Sequence, residues 1–160
     1  MKTAKEKTVA VAIDFQEKLM QVMEDPKGLE KTVVAFMEGI KVLGIPVIVT
    51  QQYTKGLGET TEGIKEKMAG SMSVEKTSFS ALKTREFEEK IKETGRDTVL
   101  LCGIETHICV MQTAMDLLEK GYKVFVIADC TASRKESDKN CGIRRMERAG
   151  AVITTYEAIL

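Results

Sequence analysis

Histidine is nearly missing from this chain: His107 stands alone among 160 residues, and none of the four cysteines (Cys102, Cys109, Cys130 and Cys141) forms a CxxC pair. A structural zinc site needs several such ligands at close spacing, so no metal is expected, and cysteines so placed suit a reducing cytoplasm. No apolar run approaches the roughly 20 residues needed to cross a bilayer. The N-terminal MKTAKEKTVAVAID has too short an apolar part and no cleavage-like site, so no secretory leader is expected. Neither sign of charge is in excess, because 24 Lys plus Arg balance 24 Asp plus Glu. That balance gives no reason to expect a nucleic-acid or membrane partner. No GxGxxG follows the first apolar run and no GxxxxGK[ST] occurs, so neither dinucleotide nor P-loop phosphate binding is supported. Internal repeats, low-complexity segments and linkers are missing too.

What is present fits one globular domain over residues 1–160, long enough to bury a proper core. TVAVAI, residues 8–13, is an apolar run without alternation, the pattern of a strand buried on both faces, and it stops at Asp14. Asp25 and Pro26 give an N-cap and first-turn signal for a helix carrying Leu29, Val33, Phe36, Met37, Ile40 and Leu43. A second strand is expected at Val47–Val49. The polar, glycine-bearing stretch from Gln51 to Ser73 reads as a long loop, with a short turn of helix around Ile64–Met68. A short strand is expected at Ser71–Lys76, a helix from Thr84 to Glu93, a strand at Thr98–Cys102 and another at Val124–Ala128. A helix around Ile143–Ala149 and a last strand at Val152–Thr154 follow. Strands alternating with helices predict an α/β fold: a Rossmann-like three-layer α/β/α sandwich with a mostly parallel sheet of about six strands.

Such sheets bind ligands at the carboxyl ends of their strands. Asp14, Cys109 and Asp129 are placed just beyond strand ends, and Lys76 joins them if its short strand forms. Cys109 admits two readings. With Thr106 as N-cap it stands in the first helical turn, where the positive helix end favours a thiolate; it is equally a buried packing residue. His107 is two residues from Cys109 and so does not face it on a helix, which makes it a rim residue rather than its base. Asp14 alone reads as a turn residue and Lys76 alone as a solvated lysine. Together with a thiol they form a different set, in which a carboxylate takes the thiol proton and an ammonium favours both anions. Cys102 and Cys141 read as structural.

Three segments carry a family resemblance: VAIDFQEKLM, KTSFSA, and GIETHICVMQTAMDLLEKGYKVFVIAD. The chain is similar to the isochorismatase-like cysteine hydrolases, which include nicotinamidases, N-carbamoylsarcosine amidohydrolase and isochorismatase. Within them it is most similar to the isochorismatase-domain-containing proteins, through VTQQYTKGLGET and RRMERAGAVITTYEAIL. The resemblance implies a catalytic set of Asp14, Lys76 and Cys109. It also implies a cis peptide between Ile104 and Glu105, with the Glu105 and Cys109 N–H groups forming an oxyanion hole. Phe15, Gln16, Tyr53, Phe79 and His107 are expected to line the substrate pocket. The implied activity is hydrolysis of a small amide or related acyl substrate through a thioester, without cofactor, in a homo-oligomer. The Asp-x-His metal site of nicotinamidases is replaced here by Gln51, Gln52 and Tyr53. Two alternatives stand beside this reading: an isochorismatase-type vinyl-ether hydrolase, and a non-catalytic assembly or ligand-binding protein on the same fold.

Overall fold

All six residues of β1 (Thr8–Ile13) are buried. A strand apolar throughout is stable only where both of its faces are covered, as in a parallel sheet between two helix layers. The computed structural model, which describes residues 2–160, provides that environment. After β1 come α1 (Glu17–Met20), α2 (Pro26–Val42), β2 (Val47–Gln52), α3 (Thr54–Leu57), α4 (Glu62–Lys67), β3 (Met72–Lys76) and α5 (Arg85–Glu93). Then follow β4 (Thr98–Ile104), a π-helical turn (Thr106–Val110) running into α6 (Met111–Glu119), β5 (Lys123–Ala132), α7 (Glu136–Ala149), β6 (Val152–Thr154) and α8 (Tyr156–Ile159). The six strands form one sheet in the order β3-β2-β1-β4-β5-β6, with every neighbouring pair parallel. From β1 the chain builds outward to β3, then crosses back to β4 and builds the other way. The crevice above β1 and β4 is therefore the switch point of the sheet, where a Rossmann-like fold holds its ligand.

Successive strand residues point to opposite faces, and the core divides accordingly. Ala10, Ala12, Leu100 and Phe125 pack with Leu29, Val33, Phe36, Met37 and Ile40 of α2. Val9, Val11, Ile13, Leu101 and Val126 pack with Phe87 and Ile91 of α5, Ala114 and Leu117 of α6, and Met146 of α7. Each fully buried large side chain contributes about 1.5–3 kcal/mol. At the start of α2, Asp25 Oδ1 accepts a hydrogen bond from the Gly28 N–H at 3.1 Å, and Pro26 needs no partner for an N–H it lacks.

Several boundaries differ from the sequence expectation. β5 continues to Ala132, and its register with β4 shifts between Leu101 and Gly103. Asp129 therefore lies inside the strand, where its Oδ1 accepts from the Tyr156 N–H at 3.0 Å, and it does not join Asp14 at the switch point. The helix expected at Ile143 begins at Glu136; its first turns bury no apolar side chain, so no apolar stripe marked them in the sequence. In the expected loop from Gln51 to Ser73, α4 matches the short turn of helix expected around Ile64–Met68, whereas α3 and the extension of β2 to Gln52 are additional. Thr84 flanks α5 without a side-chain capping bond. Among the described residues no helix is long and apolar enough to cross a membrane.

Candidate active site

Asp14 is the first residue after β1. Its backbone is left-handed, at φ 52°, a conformation Asp adopts more readily than most residues. The turn directs its carboxylate into the sheet edge, where it has no solvent exposure. Thr50 Oγ1 donates to Asp14 Oδ1 at 2.8 Å. Lys76 closes β3, reaches across the end of β2, and sets Nζ 2.8 Å from Asp14 Oδ2, with both side chains fully buried. An ammonium has three hydrogens. Those of Lys76 go to Gln52 Oε1 at 2.7 Å and to the Ser78 and Phe79 carbonyls at 3.0 Å each. Asp14 Oδ2 is thus a buried acceptor held against a positive charge, with no other hydrogen-bond partner of good geometry.

Cys109 follows β4, in the π-helical turn, and is 8% exposed. Burial is the first cause pushing its thiol up to about 12; the Asp14 charge adds to this, and Lys76 opposes it. Burial thus opposes the helix-end argument for a resting thiolate and favours a thiol that keeps its proton beside the Asp14–Lys76 pair. The cap also moves. Glu105, not Thr106, is the N-cap residue, without a side-chain capping bond. The Thr106 hydroxyl is buried and unpartnered. The Ile104–Glu105 peptide bond is cis. Among the described residues, the Glu105 N–H donates to no backbone carbonyl. Gly103, at φ 141°, lets β4 pass close to β1, since a Cβ there would run into the Ile13 carbonyl. Gly142 does the same for α7, where a Cβ would stand 2.9 Å from His107 Cα in the turn that carries Cys109.

A cavity of about 280 Å³ opens on Cys109 and Asp14, with Leu19, Val22, Gln52, Leu57, Phe79, Ile104, Glu105, Ile108 and Arg134 completing its wall. Of the five residues expected to line the pocket, Phe79 does so. The other four stand elsewhere. Phe15 is 1% exposed and packs in the core with the α2 residues, because the left-handed turn at Asp14 sends the next side chain downward. Gln16 is a backbone clamp: its Oε1 accepts from the Gln52 N–H at 2.6 Å, and its Nε2 donates to the Gln52 and Gly58 carbonyls at 2.8 and 2.7 Å. Tyr53, in a left-handed conformation, is 53% exposed. His107 Nδ1 pairs with Ser133 Oγ at 2.8 Å. Its Nε2 lies 3.7 Å from Glu105 Oε2, beyond hydrogen-bond reach.

Thr50, Gln52 and Arg134 were missed by sequence reasoning. Thr50 and Gln52 carried a signal, because polar residues two apart at the end of an apolar strand share one face. Arg134 carried none, since its partner Glu105 is 29 positions away. Gln51 and Gln52, at the place of the nicotinamidase metal ligands, do not fit a cation. Gln52 Oε1 already accepts from Lys76, and Gln51 Oε1 accepts from the Thr60 N–H at 2.8 Å and hydroxyl at 2.9 Å.

A family model described as Isochorismatase domain matches residues 8–158. Isochorismatase domain-containing protein 1 of Salmo salar is 38% identical over 154 residues, covering 96% of this chain and 54% of that protein. The chain thus spans about half the length of that curated relative. The structure named MAR1 ribonuclease from Caenorhabditis elegans superposes with a TM-score of 0.93 at 36% identity, over 99% of this chain and 81% of that one. The YcaC gene product of Escherichia coli, described as an octameric hydrolase of unknown specificity, superposes with a TM-score of 0.95 over 99% of this chain and 80% of that one. At 23% identity it shows a shared fold alone.

Proposed function

The chain belongs to the isochorismatase family, and from that premise we propose that it is a cysteine hydrolase of a small amide or related acyl substrate, working through a thioester on Cys109. One observation carries the reading. The Asp14–Lys76 ion pair is fully buried at 2.8 Å, beside a thiol whose proton affinity both charges alter. A buried ion pair is a poor source of stability, and perturbed titratable groups in a cavity mark functional sites.

In the proposed cycle the Cys109 proton passes to Asp14 Oδ2, and Lys76 then faces the thiolate in place of the carboxylate. The thiolate sulfur bonds to the substrate carbonyl carbon. The carbonyl oxygen takes the displaced electron pair and is held by the Glu105 and Cys109 N–H groups, an oxyanion hole. The C–N bond breaks, and protonated Asp14 gives its proton to the leaving amine. Water then loses a proton to Asp14 as its oxygen attacks the thioester. Collapse releases the acid and returns the proton to sulfur.

The ribonuclease name of one similar structure is less well supported here, since a polyanion favours an excess of Lys and Arg and this chain has 24 of each sign. The four thiols, all free, suit a reducing compartment such as the cytoplasm. Assembly into a homo-oligomer belongs to the same proposal, and light scattering on the purified protein tests it. For the chemistry, mass spectrometry after incubation with a panel of small amides is expected to show an acyl adduct on Cys109, absent from Cys109→Ala. Turnover that survives Cys109→Ala would overturn the thioester route.

A further inference from the structure

Resting on that reading, we infer that the substrate's acyl group is small, apolar and uncharged, and that the Glu105–Arg134 pair excludes amides bearing a carboxylate. The wall above Cys109 is built from Leu19, Val22, Leu57, Phe79, Ile104 and Ile108. Two of these, Val22 and Phe79, are about half exposed, at 52% and 54%, so the apolar lining continues to the mouth. At about 280 Å³ the cavity is below the roughly 300–1,000 Å³ of pockets for drug-sized ligands.

The charged and amide groups of the wall already have partners, although Glu105 Oε2 accepts no hydrogen bond and adds negative character there. Asp14 is paired with Lys76, and Gln52 Oε1 accepts from the same ammonium. Arg134 is the one cation in the wall, and its Nε donates to Glu105 Oε1 at 2.6 Å. Glu105 is 8% exposed and Arg134 61% exposed, so the guanidinium reaches in from solvent to neutralise a buried carboxylate. An incoming carboxylate would lose its hydration against aliphatic side chains and meet a cation already neutralised, with the Asp14 and Glu105 charges close by. Desolvating an anion without a partner is strongly unfavourable, and a competing pair withholds the arginine that would otherwise supply one.

Butyramide and succinamate test this, since a carboxylate in the second replaces the terminal methyl of the first. In the wild-type protein, kcat/KM is expected to favour butyramide by about 100-fold or more. Glu105→Gln leaves Arg134 with an uncompensated charge and should shift the ratio toward succinamate by about tenfold or more. Arg134→Met, which leaves the Glu105 carboxylate alone, should shift it the other way or not at all. Equal use of both amides by the wild type, or a ratio unmoved by Glu105→Gln, overturns the inference. Should neither amide acylate Cys109, the hydrolase reading falls. Binding to Cys109→Ala by ligand-observed NMR then decides the selectivity alone: butyramide bound and succinamate unbound upholds it, and any other pattern overturns it.

Discussion

Replacing Asp14 with Asn should separate the two effects its carboxylate has on Cys109. The thiol is pushed up to about 12, first by burial and then by the Asp14 charge, against the opposing pull of Lys76. A neighbouring charge of this kind is worth roughly 1–3 pKa units. Asn keeps the shape and removes the charge, so Lys76 is left with Cys109 as its sole candidate anion and the thiolate fraction should rise about 10- to 1,000-fold. Nucleophilicity falls as basicity falls, with a Brønsted slope of about 0.5, so the net gain in alkylation by iodoacetamide is roughly 3- to 30-fold. Hydrolysis should move the opposite way, because the group that delivers a proton to the leaving amine is gone, a loss of about 10²–10⁴-fold. Alkylation kinetics between pH 6 and pH 10, beside turnover of an amide the wild type accepts, measure both. The substitution also leaves a buried ammonium without its carboxylate, at about 3–5 kcal/mol, so rates are taken below a melting temperature determined for the variant. Slower or unchanged alkylation, or retained turnover, would refute the assignment of Asp14 as proton acceptor.

Three further outcomes follow from the same contacts. Lys76→Met strands the Asp14 carboxylate and three oxygens that accept from Nζ; a loss of about 3–5 kcal/mol is expected in urea unfolding, together with loss of activity. Gly142→Ala sets a methyl 2.9 Å from His107 Cα and should displace the turn carrying Cys109, lowering activity more than the alanine's better helix propensity, about 1 kcal/mol, raises stability; unchanged activity would show that the turn yields freely. The pH profile of kcat/KM should be flat from pH 7 to 9.5. Proton transfer within the site does not depend on pH, whereas a pre-formed thiolate on a thiol pushed up to about 12 would give a tenfold rise per unit.

The strands were legible because burial on both faces leaves an unbroken apolar run, and TVAVAI ending at Asp14 is the clearest case. Helices with one packed stripe were legible for the same reason, as α2 shows. The bulged end of β5 was not, since a register shift against β4 has no counterpart in local pattern. Nor was the depth of Lys76. In β3 burial alternates, with Val74 and Lys76 inward, and a short alternating strand ending in lysine looks like any solvated edge. Only the pairing of β3 with β2 carries that side chain under the loop at Ser78–Phe79. The pocket shows the limits most clearly. Phe15 and Gln16 adjoin Asp14 in sequence, yet a left-handed residue at Asp14 sends one into the core and turns the other into a clamp on Gln52.

That clamp explains how residues far from the thiol bear on it. Gln16 fixes the Gln52 backbone, Gln52 Oε1 holds one Lys76 hydrogen, and the two carbonyls of Ser78 and Phe79 hold the others. The ammonium is thus fixed by three oxygens in addition to Asp14 Oδ2, which lies 2.8 Å away. A high thiol pKa is then no obstacle to the proposed chemistry. Ionising Cys109 into solvent would create a new buried charge, which is what burial opposes. Passing the proton to Asp14 creates none: one anion and one cation are buried before the step, and one anion and one cation after it. The cost of desolvating the pair is met when the chain folds, so the transfer changes only which anion faces Lys76, and that is the sense in which the fold prepares the thiol without charging it.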